Sequence, residues 1–394
     1  MVFNSLDFVV FFIVVTSAYF VLPHRYRNVL LLAASCYFYM AFVPAYILIL
    51  GFTILIDYFA GILIEKASRG RRRMFLIVSL ISNIGVLAVF KYYNFLFNNL
   101  DTILNSFGLQ NHLPALSIIL PVGLSFHTFQ AMSYTIEVFR GKQKAERNFL
   151  IYALYVMFYP QLVAGPIERP QNLLHQFHEK HSFDYARIVD GLKLMLFGFF
   201  KKIVIADRLA IYVDTVYNNQ SHHNGSTLIV ATIFFAFQIY CDFSGYSDIA
   251  IGAARIMGFR LMSNFNHPYF SLSIHEFWKR WHISLSTWFK DYLYIPLGGN
   301  RVTVPRMYFN LLFVFLVSGL WHGASWTFVL WGGVNGLFLI SGLFLRPMTG
   351  KLNRLTGLQK LPRISRMLKL IFTFALTCFA WIFFRANSTG DAFE

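Results

Sequence analysis

The reading turns on NHPYFSLSIHEFWKRWHISLSTWFKDYLYIPLGGN (266–300) and on SGLWHGASWTFVLWGG (318–333), which follows it after an apolar run. Two histidines, His282 and His322, sit here in aromatic, otherwise apolar surroundings, each directly after a tryptophan, Trp281 and Trp321. Residues 307–345 are largely apolar, with an interruption at Trp321-His322-Gly323-Ala324-Ser325. This predicts a helix, a break and a second helix. About fifteen helical residues rise roughly 22 Å at about 1.5 Å each, which puts His322 well inside the depth of a bilayer. Irregular backbone there is tolerated only where it is buried in protein or lines a wet cavity. A titratable side chain at that depth is costly, and so marks a functional candidate. A histidine near its ordinary pKa can take a proton from a hydroxyl and later return one. The competing reading of His322 is an imidazole hydrogen-bonded between helices. Gly323 permits a turn or a close backbone approach.

Moving outward, a continuous helix through Phe277-Trp278-Lys279-Arg280-Trp281-His282 would put Trp278 at i,i+4 from His282 and His275 at i,i+7. One face would then carry two histidines and a tryptophan, with Lys279 and Arg280 diverging from it. The same pattern fits an interfacial helix with an aromatic belt and snorkelling basic residues. Lys279 and Arg280 also suit a negatively charged donor such as the phosphates of a coenzyme. Upstream, QIYCDFSGYSD (238–248) is a polar knot expected to interrupt an apolar helix; Gln238, Asp242, Ser244, Tyr246 and Asp248 are its polar members. Carboxylates at depth need partners. Asp242 and Asp248 could orient a histidine, pair with Arg255 or Arg280, or cap a break at Gly245. Pro160-Gln161 and GPIERP (165–170) read as a re-entrant elbow. His127, among Phe126, Phe129 and Gln130, reads as a packed polar residue.

Composition fixes the class. Charged residues make up 13% of the chain, against about 25% in a soluble domain, and mean hydropathy is +0.53. Apolar segments fall near 6–22, 29–45, 46–64, 74–97, 115–139, 149–164, 188–215, 226–254, 307–321, 324–345 and 367–384. A spanning helix needs about 20 such residues. The expectation is an all-α polytopic membrane protein with roughly 10–11 transmembrane or re-entrant helices, forming one domain over 1–394. The first apolar run has no basic region before it and no small-residue cleavage site, so it does not read as a cleavable signal.

The net charge of +16 fits basic cytoplasmic loops better than a nucleic-acid partner. Residues 24–27, 66–73 and 140–147 are each rich in Arg or Lys. If all three are cytoplasmic, the first five segments alternate without conflict, the N-terminus lies outside, and 98–114 is an external stretch. Residues 346–369 carry seven basic and no acidic side chains, which places them inside as well. Cys36, Cys241 and Cys378 are scattered through apolar segments and suggest neither disulfides nor zinc. There is no G-x-S-x-G elbow, P-loop or metal-spaced cluster.

Five blocks together resemble the membrane-bound O-acyltransferase family, in its alginate O-acetylation branch. They are PVGLSFHTFQAMSYTIEVFRG (121–141), FYPQLVAGPIERP (158–170), FQIYCDFSGYSDIAIGAARIMGF (237–259), NFNHPYFSLSIHEFWKRWHISLSTWFKDYLYIPLGGNR (264–301) and SGLWHGASWTFVLWGGVNG (318–336). The resemblance implies a multi-pass helical fold around a membrane funnel or tunnel. It also implies a histidine pair, His282 and His322, with His322 catalytic, either deprotonating an acceptor hydroxyl or briefly carrying the acyl group, and His282 orienting or assisting. Trp278, Trp281, Trp321, Lys279, Arg280, Gln238, Asp242, Ser244, Tyr246 and Asp248 would line the tunnel or support the pair.

It further implies acyl transfer from a thioester such as acetyl-CoA, consumed as a substrate, with no bound cofactor or metal. The setting is the bilayer of the inner (cytoplasmic) membrane, the acceptor an exopolysaccharide or cell-wall polymer, and the partner an extracytoplasmic SGNH-type acetyltransferase. The D-alanyl-transfer branch shares the histidines and FW-x-RWH but is less similar at YIPLGGNR (294–301). Members of the family typically continue through further helices after a stretch like FFRANSTGDAFE (383–394), an expectation of truncation here. Outside enzymology, a transporter with broken helices or a scaffold for the extracytoplasmic enzyme would share the same coarse features.

Overall fold

Polar caps and prolines set the helix starts in the computed structural model, which describes residues 1–109, 114, 116, 121–163 and 165–393. The opening of the segment expected at 115–139, Ala164 in the expected elbow, and Glu394 lie outside the described residues. Every regular element among the described residues is helical. Six helices are long and apolar enough to cross a membrane: Tyr46–Lys66, Arg69–Ser106, Gly225–Met257, Val304–His322, Trp326–Phe344 and Pro362–Arg385. The protein is therefore an all-α, polytopic membrane protein, as its composition predicts.

Contacts divide the residues into two units: Met1–Phe200 with Gly245–Met262, and Lys201–Ser244 with Ser263–Glu394. The first unit contains α1 (Leu6–Val21), α2 (His24–Met40), α3 (Tyr46–Lys66), α4 (Arg69–Ser106), α5 (Leu124–Phe139), α6 (Phe149–Met157) and α7 (Tyr185–Phe199). Ser5 caps α1 by accepting from the Phe8 amide, and Asn148 caps α6 through the Leu150 and Ile151 amides. Its core is aromatic, with Phe8, Phe38, Tyr134, Tyr152, Tyr155, Phe158, Tyr159 and Phe177 fully buried. His127 is packed as expected, its ring edge-on to Tyr39 at 6.3 Å.

Polar groups are turned inward and paired, as a bilayer demands. The buried Asp57 carboxylate accepts from Ser79 Oγ at 2.6 Å and from Asn83 Nδ2 at 2.8 Å, and Ser79 also donates to Thr135 at 3.0 Å. That node ties α3, α4 and α5 together, while Ile81 and Ile84 of α4 face outward.

Helix α4 runs through Ser106, past the apolar segment expected at 74–97. One expectation is overturned. The knot at 238–248 does not interrupt a helix: α9, Gly225–Met257, is continuous through Gly245. The facing helix carries the glycine that the packing requires, Gly198. A Cβ on Gly198 would lie 2.7 Å from the Gly245 carbonyl oxygen, and one on Gly252 would lie 2.6 Å from the Gly191 oxygen. Small residues on α7 and on residues 245–257 thus bring the two backbones into near contact, a common device between membrane helices.

The three basic loops share one face of this unit. Arg147 pairs with Glu65, Arg72 donates to the Phe139 carbonyl at 2.8 Å, His178 meets Glu146 at 2.9 Å, and Arg27 donates to the His181 carbonyl.

The second unit begins in a π-helical segment, Phe200–Ala206, and continues through α8 (Asp207–Tyr217), the first part of α9, α10 (Ile274–Arg280), α11 (Ile283–Phe289), α12 (Val304–His322), α13 (Trp326–Phe344) and α14 (Pro362–Arg385). Helices α12 and α13 form a tight hairpin. A Cβ on Gly319 would meet the Phe328 oxygen at 2.2 Å, and one on Gly332 would meet the Phe315 oxygen at 2.2 Å.

Candidate active site

The break between α12 and α13 falls where the sequence places it. His322 is the last residue of α12, Gly323-Ala324-Ser325 are extended or bent, and Ser325 caps α13 through the Thr327 amide at 3.3 Å. A Cβ on Gly323 would lie 2.1 Å from the Phe328 ring, so a side chain there would have to displace that ring.

His282 arrives by a different route from the one expected. Ser273 accepts from the Glu276 amide and Glu276 reaches back to the Leu272 amide, which starts α10. The helix stops at Arg280. Trp281 is extended and His282 adopts φ 43°, ψ 57°, a left-handed conformation uncommon for a residue other than glycine. The predicted face of His275, Trp278 and His282 therefore does not form, and His275 is exposed. The reversal is held by Asn264, 1% exposed. Its carbonyl accepts from the Ile283 amide at 2.9 Å, and its side-chain oxygen accepts from the Ser284 hydroxyl at 2.6 Å and the Ser284 amide at 3.3 Å. A strained residue over-determined by its neighbours is a frequent feature of functional sites.

The two imidazoles come together, with ring centroids 6.4 Å apart and planes inclined at 59°. That separation is too long for a direct hydrogen bond between them; an oxygen placed between the rings could meet both. His282 is 2% exposed and stands edge-on to Phe243 at 4.5 Å. His322 is half-buried and edge-on to Trp321 at 4.9 Å, Trp331 at 4.9 Å and Phe384 at 5.4 Å. Five of the seven tryptophans join this box. Trp321 also lies 6.1 Å from His282, Trp278 meets Trp331 at 5.7 Å, Trp331 stacks on Trp381 at 5.9 Å, and Trp281 meets Trp381 at 5.1 Å. Burial, foremost, and the neighbouring His322 hold the His282 imidazole well below its ordinary pKa, so it is a neutral ring at pH 7.

The remaining sequence candidates divide. Trp278, Trp281 and Trp321 belong to the box. Asp242 pairs with Lys202, not with Arg255 or Arg280; those two pair with Asp190 and Glu276. Lys202 also reaches Asp207 at 2.8 Å, and Lys201, 7% exposed, donates to Ser244 at 3.0 Å. The π-helical register of 200–206 puts successive lysines on these partners, and such segments recur at functional sites. Lys279 is exposed and Gln238 is partly buried on α9. Tyr246 packs in the first unit, 5.8 Å from Phe3, and Asp248 belongs to that unit too. Asn264, Phe243, Trp331, Phe384 and the lysine pair were not singled out from sequence. Phe243, Asn264 and Trp331 do lie within the resembling blocks; Phe384 and the lysine pair carry no signal apart from composition.

Comparison with known proteins identifies the family. Residues 126–386 match the sequence profile of the membrane-bound O-acyltransferase family. The chain is 41% identical over its whole length to the probable alginate O-acetylase AlgI of Pseudomonas aeruginosa, covering 74% of that protein. It is 36% identical to the peptidoglycan O-acetyltransferase of Helicobacter pylori, over 95% of this chain and 75% of that one. Against the teichoic acid D-alanyltransferase of Bacillus subtilis, identity is 26% over 70% of this chain and 71% of the other. The chain belongs to the membrane-bound O-acyltransferase family and is a multi-pass O-acyltransferase.

Proposed function

We propose that the protein moves an acetyl group from a cytoplasmic thioester, acetyl-CoA, toward O-acetylation of an exopolysaccharide or cell-wall polymer, with His322 as general base. The observation that carries this reading is the pair of imidazoles 6.4 Å apart inside an aromatic box. One ring nitrogen of His322, the less buried of the two, takes the proton of an acceptor hydroxyl. The oxygen attacks the thioester carbonyl carbon, the carbon–sulfur bond breaks, and the departing thiolate takes the proton back from the imidazolium. His282, neutral and fixed by Asn264, hydrogen-bonds the same oxygen and orients it. Acetyl transfer is favoured over D-alanyl transfer by the higher identity to the two O-acetyl-transferring relatives. The protein sits in the inner membrane with its N-terminus outside, and an SGNH-type transferase receives the group on the outer side.

General base catalysis contributes about 10²–10⁴-fold. His322→Ala is therefore expected to lower transfer from radiolabelled acetyl-CoA to an oligosaccharide acceptor by at least that lower bound, in purified protein that still folds. Full transfer by that variant removes His322 from the role.

A further inference from the structure

The first unit holds a second feature that acyl transfer at the histidine pair does not use. A cavity of about 1040 Å³ is lined by Glu168, His181, Arg187, Arg255, Phe259 and Arg260, among others. It lies beside the basic loops, since the His181 carbonyl accepts from Arg27. Its wall is built rather than incidental. The carboxamide of Gln176 clamps Arg260 with both its atoms, the oxygen accepting from the Arg260 amide at 2.8 Å and the nitrogen donating to the Arg260 carbonyl at 2.9 Å. Glu168 accepts from the Met262 amide. Gly258, at φ +106°, presses on His181, and a Cβ there would lie 2.7 Å from the His181 ring. The loop 258–262 is thereby fixed, and it carries Arg260 with it.

The charges in this wall are unevenly matched. Arg255 has Asp190 as partner. Among the described residues, Arg187 and Arg260 have no carboxylate partner, and the buried Nε of Arg187 has no acceptor. Guanidinium groups are suited to planar, multi-contact recognition of phosphate. The volume suits a nucleotide-sized group or a phospholipid headgroup, and Phe259 supplies an apolar surface within the wall.

We propose that this cavity is a phosphate-binding site, in which Arg187 and Arg260 hold a phosphate or diphosphate group. The group belongs either to a soluble ligand or to an anionic lipid headgroup. Two assays separate these sources. Purified protein in neutral detergent is titrated with ADP and with pyrophosphate. The same protein in nanodiscs is tested for preferential retention of phosphatidylglycerol over phosphatidylcholine.

In either assay, the Arg187→Gln/Arg260→Gln double variant is expected to weaken binding roughly tenfold or more, given the strength of charge-assisted hydrogen bonds. Arg260→Lys, which keeps the charge, is expected to weaken it less, and both variants should melt near the wild type. His322→Ala should keep phosphate binding while losing acyl transfer, so failure of the catalytic reading and failure of this one are distinguishable. Wild type and double variant behaving alike toward all the probes would mean that the arginines serve membrane topology only, and the proposal would be overturned.

Discussion

At the scale of single residues, the site depends on a backbone conformation that its own residue disfavours. His282 sits at φ 43°, which costs on the order of 1–2 kcal/mol for a side-chain-bearing residue. Asn264 offsets that cost by capping the next helix from eighteen positions upstream of His282. Asn264→Ala removes the two bonds to Ser284 and should cost about 1–2 kcal/mol of stability. Turnover should fall more than KM rises, because the loss is of orientation and not of substrate contact; unchanged kcat would separate Asn264 from the site. The histidines were legible from sequence because a titratable group in an apolar stretch is costly wherever it falls. The turn at His282 was not, since helical spacing predicts continuity and the group that breaks it is far away in the chain.

Glu168 gives a second test at this scale. It is fully buried in the elbow at 165–170, and burial outweighs its hydrogen bonds to push its carboxyl up to about 7 from 4.5. The folded state thus holds the proton more tightly than the unfolded chain. The stabilisation is present below pH 4.5 and is lost as pH rises through about 7. Glu168→Gln should flatten the decline in melting temperature between those values; an identical pH profile would mean that the carboxyl is ionised in the fold.

At the scale of elements, glycines determine how closely helices approach, and their roles are ambiguous in one dimension. Gly323 was read as a turn or close approach and serves both. The sequence allows a break at Gly245, yet it lies inside a 33-residue helix with its carbonyl against Gly198. The difference lies in the partner helix, where Gly198 faces Gly245, and no local pattern reports it. In the α12–α13 hairpin, Gly319→Ala would set a methyl 2.2 Å from the Phe328 carbonyl oxygen, a backbone atom that cannot swing aside. Overpacking of this kind costs about 1–3 kcal/mol, and it would displace His322, three residues farther along α12. Acyl transfer should therefore drop along with the melting temperature. Gly342→Ala in α13 is the control: it meets nothing within 4 Å and should leave both unchanged. Equal behaviour of the two variants would show that the hairpin tolerates separation without loss of the site.

At the scale of the whole molecule, the apolar segments were legible because the bilayer imposes composition, whereas their ends were not. Helix α4 continues to Ser106 with the polar side chains near its end turned onto its own backbone: Asn99 to the Phe95 carbonyl at 2.7 Å and Thr102 to the Asn98 carbonyl at 2.8 Å. A helix need not stop where its hydrophobic stretch stops. The gathering of residues 24–27, 66–73 and 140–147 on one face of the first unit has a consequence for topology, because Arg and Lys accumulate on the cytoplasmic side. These loops are connected by Glu65 with Arg147, Arg72 with Phe139, and Arg27 through His181 and the neighbouring His178–Glu146 pair. They therefore share a side, whichever side that is.

A cysteine placed at Lys142, which is exposed, tests the assignment in a background with Cys36, Cys241 and Cys378 replaced. A membrane-impermeant maleimide should label it only after the inner membrane is permeabilised. A cysteine at Val2, also exposed, should be labelled once the reagent reaches the outer face of that membrane. Labelling of position 142 with the inner membrane intact would invert the topology, and a cytoplasmic thioester would then have to approach the histidine pair from the opposite side.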